Sequence, residues 1–350
     1  MSDARPLVAL TLGDVAGIGP EVAALAWREP ALHHLARCFV VGCPATLERA
    51  CRLVDPALQV RAVGSVSELQ HRQDMIECLA VGDLDVPNVE PGRIDARAGR
   101  AAFDFLIAAI DLALAGKIDA ITTLPLNKVG LHAAGIQEPG HTEILAGRCG
   151  VSQHAMMLYV APPLARAPGG LGVVHATLHV SLQNALAQLN ERVVASAIAL
   201  AADTMACLAG QEPRVAVAGL NPHAGEDGLF GDEEQRFIQP AIERARKAGR
   251  RVDGPIAADT LFRRAFDGEF DAVVAMYHDQ GHVAVKSVAF WEAVNVTLGL
   301  PIVRTSVAHG TAYDIAWRGQ ARATSLIEAV RVAARLVQAR RGRSIDAPRV

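Results

Sequence analysis

The stretch that decides the fold is "DAVVAMYHDQGHVAVK", residues 271–286. After its first residue, five apolar residues form a run that is typical of a strand buried on both faces of a parallel sheet. A dense polar group follows at once, and it consists of Tyr277, His278, Asp279, Gln280, His282 and Lys286. In α/β proteins ligands bind beyond the carboxyl ends of such strands. The stretch therefore predicts both a fold class and the position of a site.

The same combination of a short apolar run and a polar loop recurs along the chain. Eight such runs predict buried strands, at residues 7–12, 38–41, 120–123, 155–160, 172–175, 215–218, 272–276 and 294–298. Apolar residues at helical spacing predict helices over 97–115, 189–208, 233–248 and 325–340. This alternation predicts an α/β fold with largely parallel or mixed sheets.

Composition narrows the class of protein. The chain has 350 residues, which is more than one compact core usually holds, so we expect two domains. Its 51% of hydrophobic residues can fill large cores, and its formal net charge of −3 gives no positive excess for nucleic acid. We see no apolar run long enough to cross a membrane and no secretory leader pattern. Six scattered cysteines indicate reduced thiols. These features predict a cytoplasmic protein that binds neither nucleic acid nor membrane.

The glycine-rich loop "TLGDVAGIGPEV", residues 11–22, follows the first predicted strand. Gly13, Gly17 and Gly19 permit a tight turn, and Pro20 suits the first turn of a helix. The glycines do not match the dinucleotide-binding G-x-G-x-x-G pattern. Two interpretations remain open: the free N–H groups of the loop hold an anion, or the loop is a structural turn.

A second polar loop, residues 122–145, carries His141 and Thr142 after a Pro-Gly turn. The pair has two equally good interpretations, as ligand contacts or as satisfied loop residues. Glu143 is best interpreted as a charge at the start of a helix.

Asn295 and Arg304 flank a Gly-Leu-Pro turn further along the chain. The planar guanidinium of an arginine can bind a phosphate or a carboxylate through two hydrogen bonds.

Three histidines, His179, His223 and His278, each lie at or just beyond the end of a separate predicted strand. Because the carboxyl ends of parallel strands gather at one edge, the three imidazoles could converge on Zn²⁺ or a similar divalent ion. The alternative is that they are separate hydrogen-bonding residues of three loops. The spacing alone leaves both open.

Taken together, these stretches resemble the 4-hydroxythreonine-4-phosphate dehydrogenase family from about residue 7 to about residue 335. The strings that carry the resemblance are "GLNPHAGE" (219–226), "ADTLF" (258–262), "MYHDQGH" (276–282), "VNVTLGLP" (294–301) and "HGTAYDIA" (309–316). The resemblance implies the isocitrate and isopropylmalate dehydrogenase type of fold, with a cleft between two α/β domains. We assign 1–130 plus 300–350 to the first domain, which has the cofactor loop, and 131–299 to the second, which has the metal ligands and a dimer interface. The resemblance to the family also implies a homodimer in which each active site is completed by the partner subunit.

The resemblance assigns roles residue by residue. The metal ligands would be His179, His223 and His278, with Zn²⁺, Mg²⁺, Mn²⁺ or Co²⁺ as the ion. The substrate contacts would be His141, Thr142, Lys286, Asn295 and Arg304, and the candidate NAD contacts would be His309, Gly310, Thr311 and Asp314. Lys286 has the reach to act as an acid/base or to pair with an anionic substrate group, and Asp279 would orient a nearby ligand. Asp314 suits a free ribose hydroxyl better than a 2′-phosphate, which favours NAD over NADP.

The implied reaction is NAD-linked oxidation of the β-hydroxyl of a phosphorylated four-carbon hydroxy acid, followed by decarboxylation. The departures from the family pattern concern the substrate. Ala308 stands where the family usually has Asp, and "WEAVNVTLG" (291–299) and "YDIAWRG" (313–319) resemble the branch that oxidises D-threonate or D-erythronate 4-phosphate. Dehydrogenases of aromatic cis-dihydrodiol acids form a third possibility. A metal-dependent hydrolase is the alternative from another class, although it would not need "HGTAYDIA".

Overall fold

The computed structural model describes residues 4–82 and 85–342, and they form a mixed α/β fold. The chain divides into two compact units. Unit 1 comprises the described part of Met1–Ser152 together with Leu300–Arg341, and unit 2 comprises Gln153–Gly299.

The described residues contain twelve strands: β1 (Leu7–Thr11), β2 (Arg37–Gly42), β3 (Gln59–Val63), β4 (Met75–Ala80), β5 (Ala120–Thr123), β6 (Ala155–Val160), β7 (Leu171–His175), β8 (Arg214–Ala218), β9 (Arg251–Ile256), β10 (Ala272–Ala275), β11 (Val294–Leu298) and β12 (Val303–Val307). The α-helices are α1 (Gly19–Trp27), α2 (Pro30–Leu35), α3 (Pro44–Val54), α4 (Ala96–Leu114), α5 (Lys128–Ala133), α6 (His141–Cys149), α7 (Leu182–Gln188), α8 (Glu191–Ala209), α9 (Gln239–Lys247), α10 (Ala258–Phe266), α11 (His278–Lys286) and α12 (Thr324–Gly342). Short helical turns lie at Val66–Glu68, Pro222–Gly228 and Glu234–Ile238.

The strands of unit 1 lie in the order β3-β4-β2-β1-β5-β12, and every described pairing among them is parallel. Central strand β1 is buried along its whole length. The long helix α4 begins at Asp95, whose side chain accepts a hydrogen bond from the backbone N–H of Arg97 at 2.7 Å. Both α5 and α6 pack against α4, so unit 1 extends to Ser152, beyond the domain boundary near residue 130 that we expected from the sequence.

The strands of unit 2 lie in the order β11-β6-β7-β10-β8-β9. Strand β6 runs antiparallel to both β11 and β7, whereas β7, β10, β8 and β9 run parallel to one another. In the register of this sheet Ala275 is opposite His175. The carboxyl ends of β7, β10 and β8 therefore lie at one edge, where the polar loops begin.

The eight strands predicted from apolar runs are confirmed, and four others were missed. Two of the missed strands, β3 and β9, are at sheet edges and remain partly exposed, so they lack a continuous apolar run. Strand β12 was missed for a different reason. Its sequence "VRTSV" is polar, yet all five residues are buried.

Helix α8 is long and apolar enough to cross a membrane by length and composition, which qualifies the expectation drawn from the sequence. One such helix is weak evidence for a membrane span, because core helices of soluble proteins have the same length and apolar composition. It packs against β7, β8 and β10. The residues it buries are Val194, Ala197, Ile198, Ala201, Ala202, Met205 and Leu208. We therefore interpret α8 as a core helix of unit 2.

Candidate active site

Four histidines of unit 2 form a cluster, which we call the histidine cluster: His175, His179, His278 and His282. His278 is the first residue of α11, and His282 follows one turn later, so their rings stack with centroids 3.7 Å apart and an interplanar angle of 10°. The rings of His179 and His278 have centroids 5.9 Å apart. Two of the three predicted metal ligands are therefore neighbours within one chain.

The inner pair of the cluster is held by a hydrogen bond between His282 Nδ1 and His175 Nε2, at 3.1 Å. Burial lowers the pKa of His175 to about 3, and the charge of His282 acts in the same direction. Burial, followed by the charge of His278, lowers the pKa of His282 to about 4. Both imidazoles are therefore neutral near pH 7, and His282 supports the ring of His278 by stacking on it.

The outer pair faces a cavity. His179 and His278 both line a cavity of about 440 Å³, together with Tyr277 and Asp279. The carboxylate of Asp279 lies 2.6 Å from His278 Nδ1. A proton on Nδ1 would be held by this contact, and it would leave the lone pair on Nε2, which is the arrangement of a metal-binding histidine with a carboxylate behind it. The donor chemistry of His179 and His278 thus fits a divalent ion.

His223 lies in a separate loop. Residues from His223 to Asp227 all have left-handed backbone conformations, which are unusual for residues other than glycine. His223 Nδ1 lies 2.8 Å from Glu226 Oε1. No group of three or more His, Cys, Asp or Glu side chains in the described parts of the chain is arranged to hold a metal ion. The structure of one chain therefore does not bring His223 together with His179 and His278.

Buried polar contacts hold the His223 loop in place. Glu234 is 3% exposed, and it accepts hydrogen bonds from the backbone N–H groups of Leu220 and Asn221 at 2.7 and 2.8 Å. The side chain of Gln280 donates to the carbonyl oxygen of Gly219 at 2.8 Å, which ties the loop to α11. Such contacts offset the strain of a left-handed run and fix where the loop stands.

Two predicted substrate contacts also belong to unit 2. Lys286 is the last residue of α11, and its ammonium lies 5.9 Å from the centroid of the Phe290 ring. Asn295 is on β11, and its Oδ1 is buried with no hydrogen-bond partner among the residues that the structure describes. A buried amide oxygen without a partner is costly, so it indicates a position where a bound molecule could donate a hydrogen bond.

The other predicted substrate contacts belong to unit 1. Arg304 on β12 is 1% exposed, and its Nη2 donates to Thr123 Oγ1 at 2.6 Å. Burial lowers the pKa of Arg304 to about 9, while the charge of Glu143 opposes that shift. Burial also lowers the pKa of His141, and the positive charge of Arg304 adds to the effect. The result is a buried cation beside a neutral imidazole, an environment in which a bound anion would be stabilised.

Backbone N–H groups of the glycine-rich loop donate hydrogen bonds to other segments of the chain. Asp14 N–H donates to the carbonyl oxygen of Pro125 at 2.8 Å, and Ile18 N–H donates to that of Thr311 at 3.0 Å. A Cβ on Gly17 would lie 2.8 Å from the carbonyl oxygen of Thr311, so this glycine permits a close approach of two backbones. Of the two interpretations left open by the sequence, these contacts support the structural turn.

The predicted cofactor residues lie in the segment that this turn supports. His309 Nδ1 lies 3.0 Å from the carbonyl oxygen of Gly310. Gly310 and Asp314 are exposed, and a Cβ on Gly310 would meet no atom of residues 4–82 and 85–342 within 4 Å. The segment therefore has an open side on which a ligand could lie.

These elements and side chains define a mixed α/β protein whose histidine cluster lies at the carboxyl ends of β7 and β10. The chain belongs to the family described as "Pyridoxal phosphate biosynthetic protein PdxA", whose model matches residues 34–333. This membership confirms the resemblance drawn from the sequence strings.

Three relatives illustrate the similarity in sequence and structure. A protein of Cupriavidus necator named D-threonate 4-phosphate dehydrogenase is 45% identical over 341 residues, which cover 97% of this chain and 100% of the relative. The crystal structure of a 4-hydroxythreonine-4-phosphate dehydrogenase from Klebsiella pneumoniae is 41% identical, with a TM-score of 0.85 and coverage of 97% of this chain and 100% of that chain. The crystal structure of a terephthalate 1,2-cis-dihydrodiol dehydrogenase from Burkholderia xenovorans LB400 is 32% identical, with a TM-score of 0.64 and coverage of 94% and 98%.

The close approach at Gly17 and the open space at Gly310 give opposite expectations for the same substitution. Gly17→Ala places a methyl group against the backbone and Cβ of Thr311, so we expect a loss of about 1–3 kcal/mol in the free energy of unfolding. Gly310→Ala should change it by less than about 0.5 kcal/mol. Urea unfolding of the two variants measures the difference, and equal stability of both would contradict the close packing of the turn against Thr311.

Proposed function

We propose that the protein is an NAD-linked dehydrogenase that oxidises the β-hydroxyl of a small phosphorylated hydroxy acid and then releases CO₂. The observation that carries the proposal is the buried guanidinium of Arg304, beside His141 and with a pKa lowered to about 9. A phosphate or carboxylate bound there would lie beside a positive charge in a buried environment, where such a contact is strong. The names of the relatives agree with a substrate of this class.

The substrate grip in this proposal consists of His141, Thr142, Lys286, Asn295 and Arg304. The planar guanidinium of Arg304 has the shape to match the oxygens of a phosphate or carboxylate, although its Nη2 already donates to Thr123. The orphaned Oδ1 of Asn295 supplies an acceptor for a substrate hydroxyl. Contacts of this kind orient a substrate, and orientation of the reacting carbon contributes much of the rate in such reactions.

A divalent metal, Zn²⁺ or alternatively Mg²⁺, Mn²⁺ or Co²⁺, is part of the proposal. His179 and His278 would hold it, and the donor set of neutral imidazoles suits a borderline ion such as Zn²⁺. When bound, the ion would act as a Lewis acid on the substrate oxygens. Asp279 would hold the proton on His278 Nδ1 and so keep Nε2 available as a ligand.

The cofactor NAD would accept the hydride, and it would be held by His309, Gly310, Thr311 and Asp314. The exposed carboxylate of Asp314 would repel a 2′-phosphate but accept a hydrogen bond from a free 2′-hydroxyl, which favours NAD over NADP. Lys286 would act as the acid/base group that takes the hydroxyl proton and later returns a proton to carbon, or it would pair with an anionic group of the substrate.

The identity of the acid remains the open choice within this proposal. The candidates are 4-hydroxythreonine 4-phosphate, for a role in pyridoxine biosynthesis, and D-threonate or D-erythronate 4-phosphate, for a catabolic role. Ala308 removes the carboxylate that the family usually has before the "HG" pair, and the strings at 291–299 and 313–319 favour the catabolic branch. The relative that acts on a terephthalate dihydrodiol keeps an aromatic cis-dihydrodiol acid among the candidates.

Three further assignments belong to the proposal. The fold is of the isocitrate and isopropylmalate dehydrogenase type, and the enzyme is cytoplasmic. The active unit is a homodimer in which His223 is supplied to the site of His179 and His278 by a second copy. Large apolar side chains exposed on unit 2 support association, since a single copy leaves Leu182, Leu229, Phe230, Val283, Phe290 and Trp291 uncovered.

The experiment that tests the proposed function is a substrate panel with NAD⁺. It contains 4-hydroxythreonine 4-phosphate, D-threonate 4-phosphate, D-erythronate 4-phosphate and a cis-dihydrodiol acid, each with and without added divalent metal. We expect NADH formation with at least one phosphorylated acid, its loss after treatment with a chelator, and its recovery when metal is added back. Release of phosphate without NADH would instead support the metal-dependent hydrolase, and full activity after chelation would exclude the metal.

Arg304→Lys tests the phosphate contact. The charge remains but the two-pronged geometry is lost, and a charge-assisted hydrogen bond contributes roughly 1.5–3 kcal/mol. We expect kcat/KM to fall by about one to two orders of magnitude, with little change in the affinity for NAD⁺. The loss should be smaller for an analogue without the phosphate. An equal loss for both substrates would show that Arg304 holds the carboxylate or the fold, and would favour the dihydrodiol acid.

Complementation between inactive variants tests the shared site. If His223 acts in the site of the partner, a mixture of His223→Ala and His278→Ala subunits should form heterodimers with one intact site, and recover about a quarter of the wild-type activity. His179→Ala mixed with His278→Ala is the matched control. Since these two residues lie together on one chain, that mixture should recover no activity. Equal recovery in both mixtures would contradict the arrangement.

A further inference from the structure

Glu21 is a buried carboxylate that binds the predicted cofactor segment. It belongs to α1 and has no exposed surface. Its Oε2 accepts a hydrogen bond from the backbone N–H of Trp317 at 2.7 Å, and its Oε1 accepts one from the backbone N–H of Gly319 at 2.6 Å. We call residues 309–319 the cofactor loop. One side chain thus satisfies two backbone donors at the far end of this loop, through charge-assisted hydrogen bonds.

The segment that Glu21 holds has an unfavourable backbone conformation. Trp317 has a φ of +60°, in the left-handed region that a bulky residue rarely adopts, and Ala312 has a φ of +44°. The indole Nε1 of Trp317 donates to the carbonyl oxygen of Val15 at 2.9 Å, and the guanidinium of Arg49 lies 4.2 Å from the centroid of its ring. Such a conformation persists only where several contacts fix it.

A second set of contacts fixes the middle of the cofactor loop. The hydroxyl of Tyr313 donates to Asp14 Oδ2 at 2.6 Å, and Asp14 Oδ1 accepts from the backbone N–H of Ala16 at 2.8 Å. The carbonyl oxygen of Thr311 accepts from Ile18 N–H. Two residues that resemble cofactor contacts remain exposed: Gly310, just before the anchor at Thr311, and Asp314, just after the anchor at Tyr313. The glycine-rich loop and α1 therefore hold one side of the cofactor loop while its other side stays open.

We propose that Glu21 is a positioning residue for the cofactor: it holds the cofactor loop in its binding conformation before the dinucleotide arrives. The inference rests on the proposed function, which assigns this loop to NAD. A loop that is already ordered loses less conformational freedom on binding, and the apparent affinity equals the intrinsic affinity multiplied by the fraction of molecules in which the loop is in place. Loss of the Glu21 contacts should therefore weaken NAD⁺ binding without removing any group that touches NAD⁺.

Glu21→Gln is the variant that tests this role. The amide keeps the size of the side chain, but it retains one acceptor and turns an NH₂ donor toward a backbone N–H. We expect the dissociation constant of NAD⁺ to rise about ten-fold or more, as measured by calorimetry. In kinetics, KM for NAD⁺ should rise similarly while kcat at saturating NAD⁺ stays close to that of the wild type. Glu21→Asp, which keeps the charge, should recover part of the affinity.

Hydrogen exchange supplies a readout that requires neither NAD⁺ nor turnover. The amides of Trp317 and Gly319 are protected by a buried acceptor, and in Glu21→Gln their exchange should speed up about ten-fold or more. If Glu21→Gln fails to fold, Trp317→Phe leaves both Glu21 contacts in place but removes the indole bond to Val15 and alters the ring on which Arg49 stacks, so it should raise both the exchange rate and the NAD⁺ dissociation constant by a smaller factor.

Glu77→Gln is the matched control. Glu77 is also a buried glutamate of unit 1, 1% exposed, and it accepts hydrogen bonds from the backbone N–H groups of Gln70 and His71. Its loop is not part of the cofactor loop. We expect Glu77→Gln to speed exchange at residues 70 and 71 while NAD⁺ affinity stays within about two-fold of the wild type.

The outcomes distinguish failure of the proposed function from failure of the positioning role of Glu21. If the wild type does not bind NAD⁺, the proposed function fails and the role of Glu21 fails with it. If the wild type binds NAD⁺ and Glu21→Gln binds it equally well despite faster exchange, the positioning role alone is overturned. If Glu77→Gln weakens NAD⁺ binding as much as Glu21→Gln, the effect is one of general stability, and the positioning role is overturned as well.

Discussion

The parallel pairing of β10 with β7 and β8 is the constraint on which the histidine-bearing loops depend. Backbone hydrogen bonds place Ala275 opposite His175, so the chain leaves β7 and β10 at the same edge of the sheet. His179 and His278 lie in the segments that follow these two strands, and their ring centroids are 5.9 Å apart. A one-residue slip of this register would turn His175 to the other face and break its hydrogen bond with His282. The position of the cluster is thus set by main-chain pairing, and the side chains add the chemistry.

Buried carboxylates recur as anchors of loops in this fold. Glu21, Glu77 and Glu234 are each at most 3% exposed, and each accepts hydrogen bonds from two backbone N–H groups of a nearby loop. An ionised carboxylate is costly to bury, and these donors offset that cost. In return the loops lose the freedom that exposed segments usually have. Two of the three anchored loops carry residues that the sequence marks as candidate ligands.

The sequence predicted the parts of the fold and site that depend on short-range pattern. Apolar runs identified eight strands, and positions at the ends of predicted strands singled out His179 and His278, which the structure brings together. The pattern could not reveal contacts that join distant segments. His175 and His282 are 107 residues apart, and only the strand register brings them into contact. The i, i+4 spacing of His278 and His282 was a visible signal, but it became informative only once α11 was known to begin at His278.

Glu21 is a clearer example of a contact between distant segments that the sequence pattern could not reveal. In the sequence it reads as an ordinary acid in the first turn of a helix, and nothing near it suggests a partner. Its partners, Trp317 and Gly319, are 296 and 298 residues away. The polar strand β12 was missed for a related reason, because its burial depends on neighbours that are remote in the chain. Long-range polar pairing is therefore what the sequence did not disclose, whereas local apolar runs identified most of the strands, although the apolar strand β4 was missed.

Helix α11 has a geometric consequence for how such a site can evolve. His278, His282 and Lys286 are spaced by four residues along its two and a half turns, so they share one face of a single rigid rod. A small rotation or slide of that rod displaces all three together and preserves their mutual distances. Changes in neighbouring residues can therefore shift these three side chains as one group without altering the histidines or the lysine themselves.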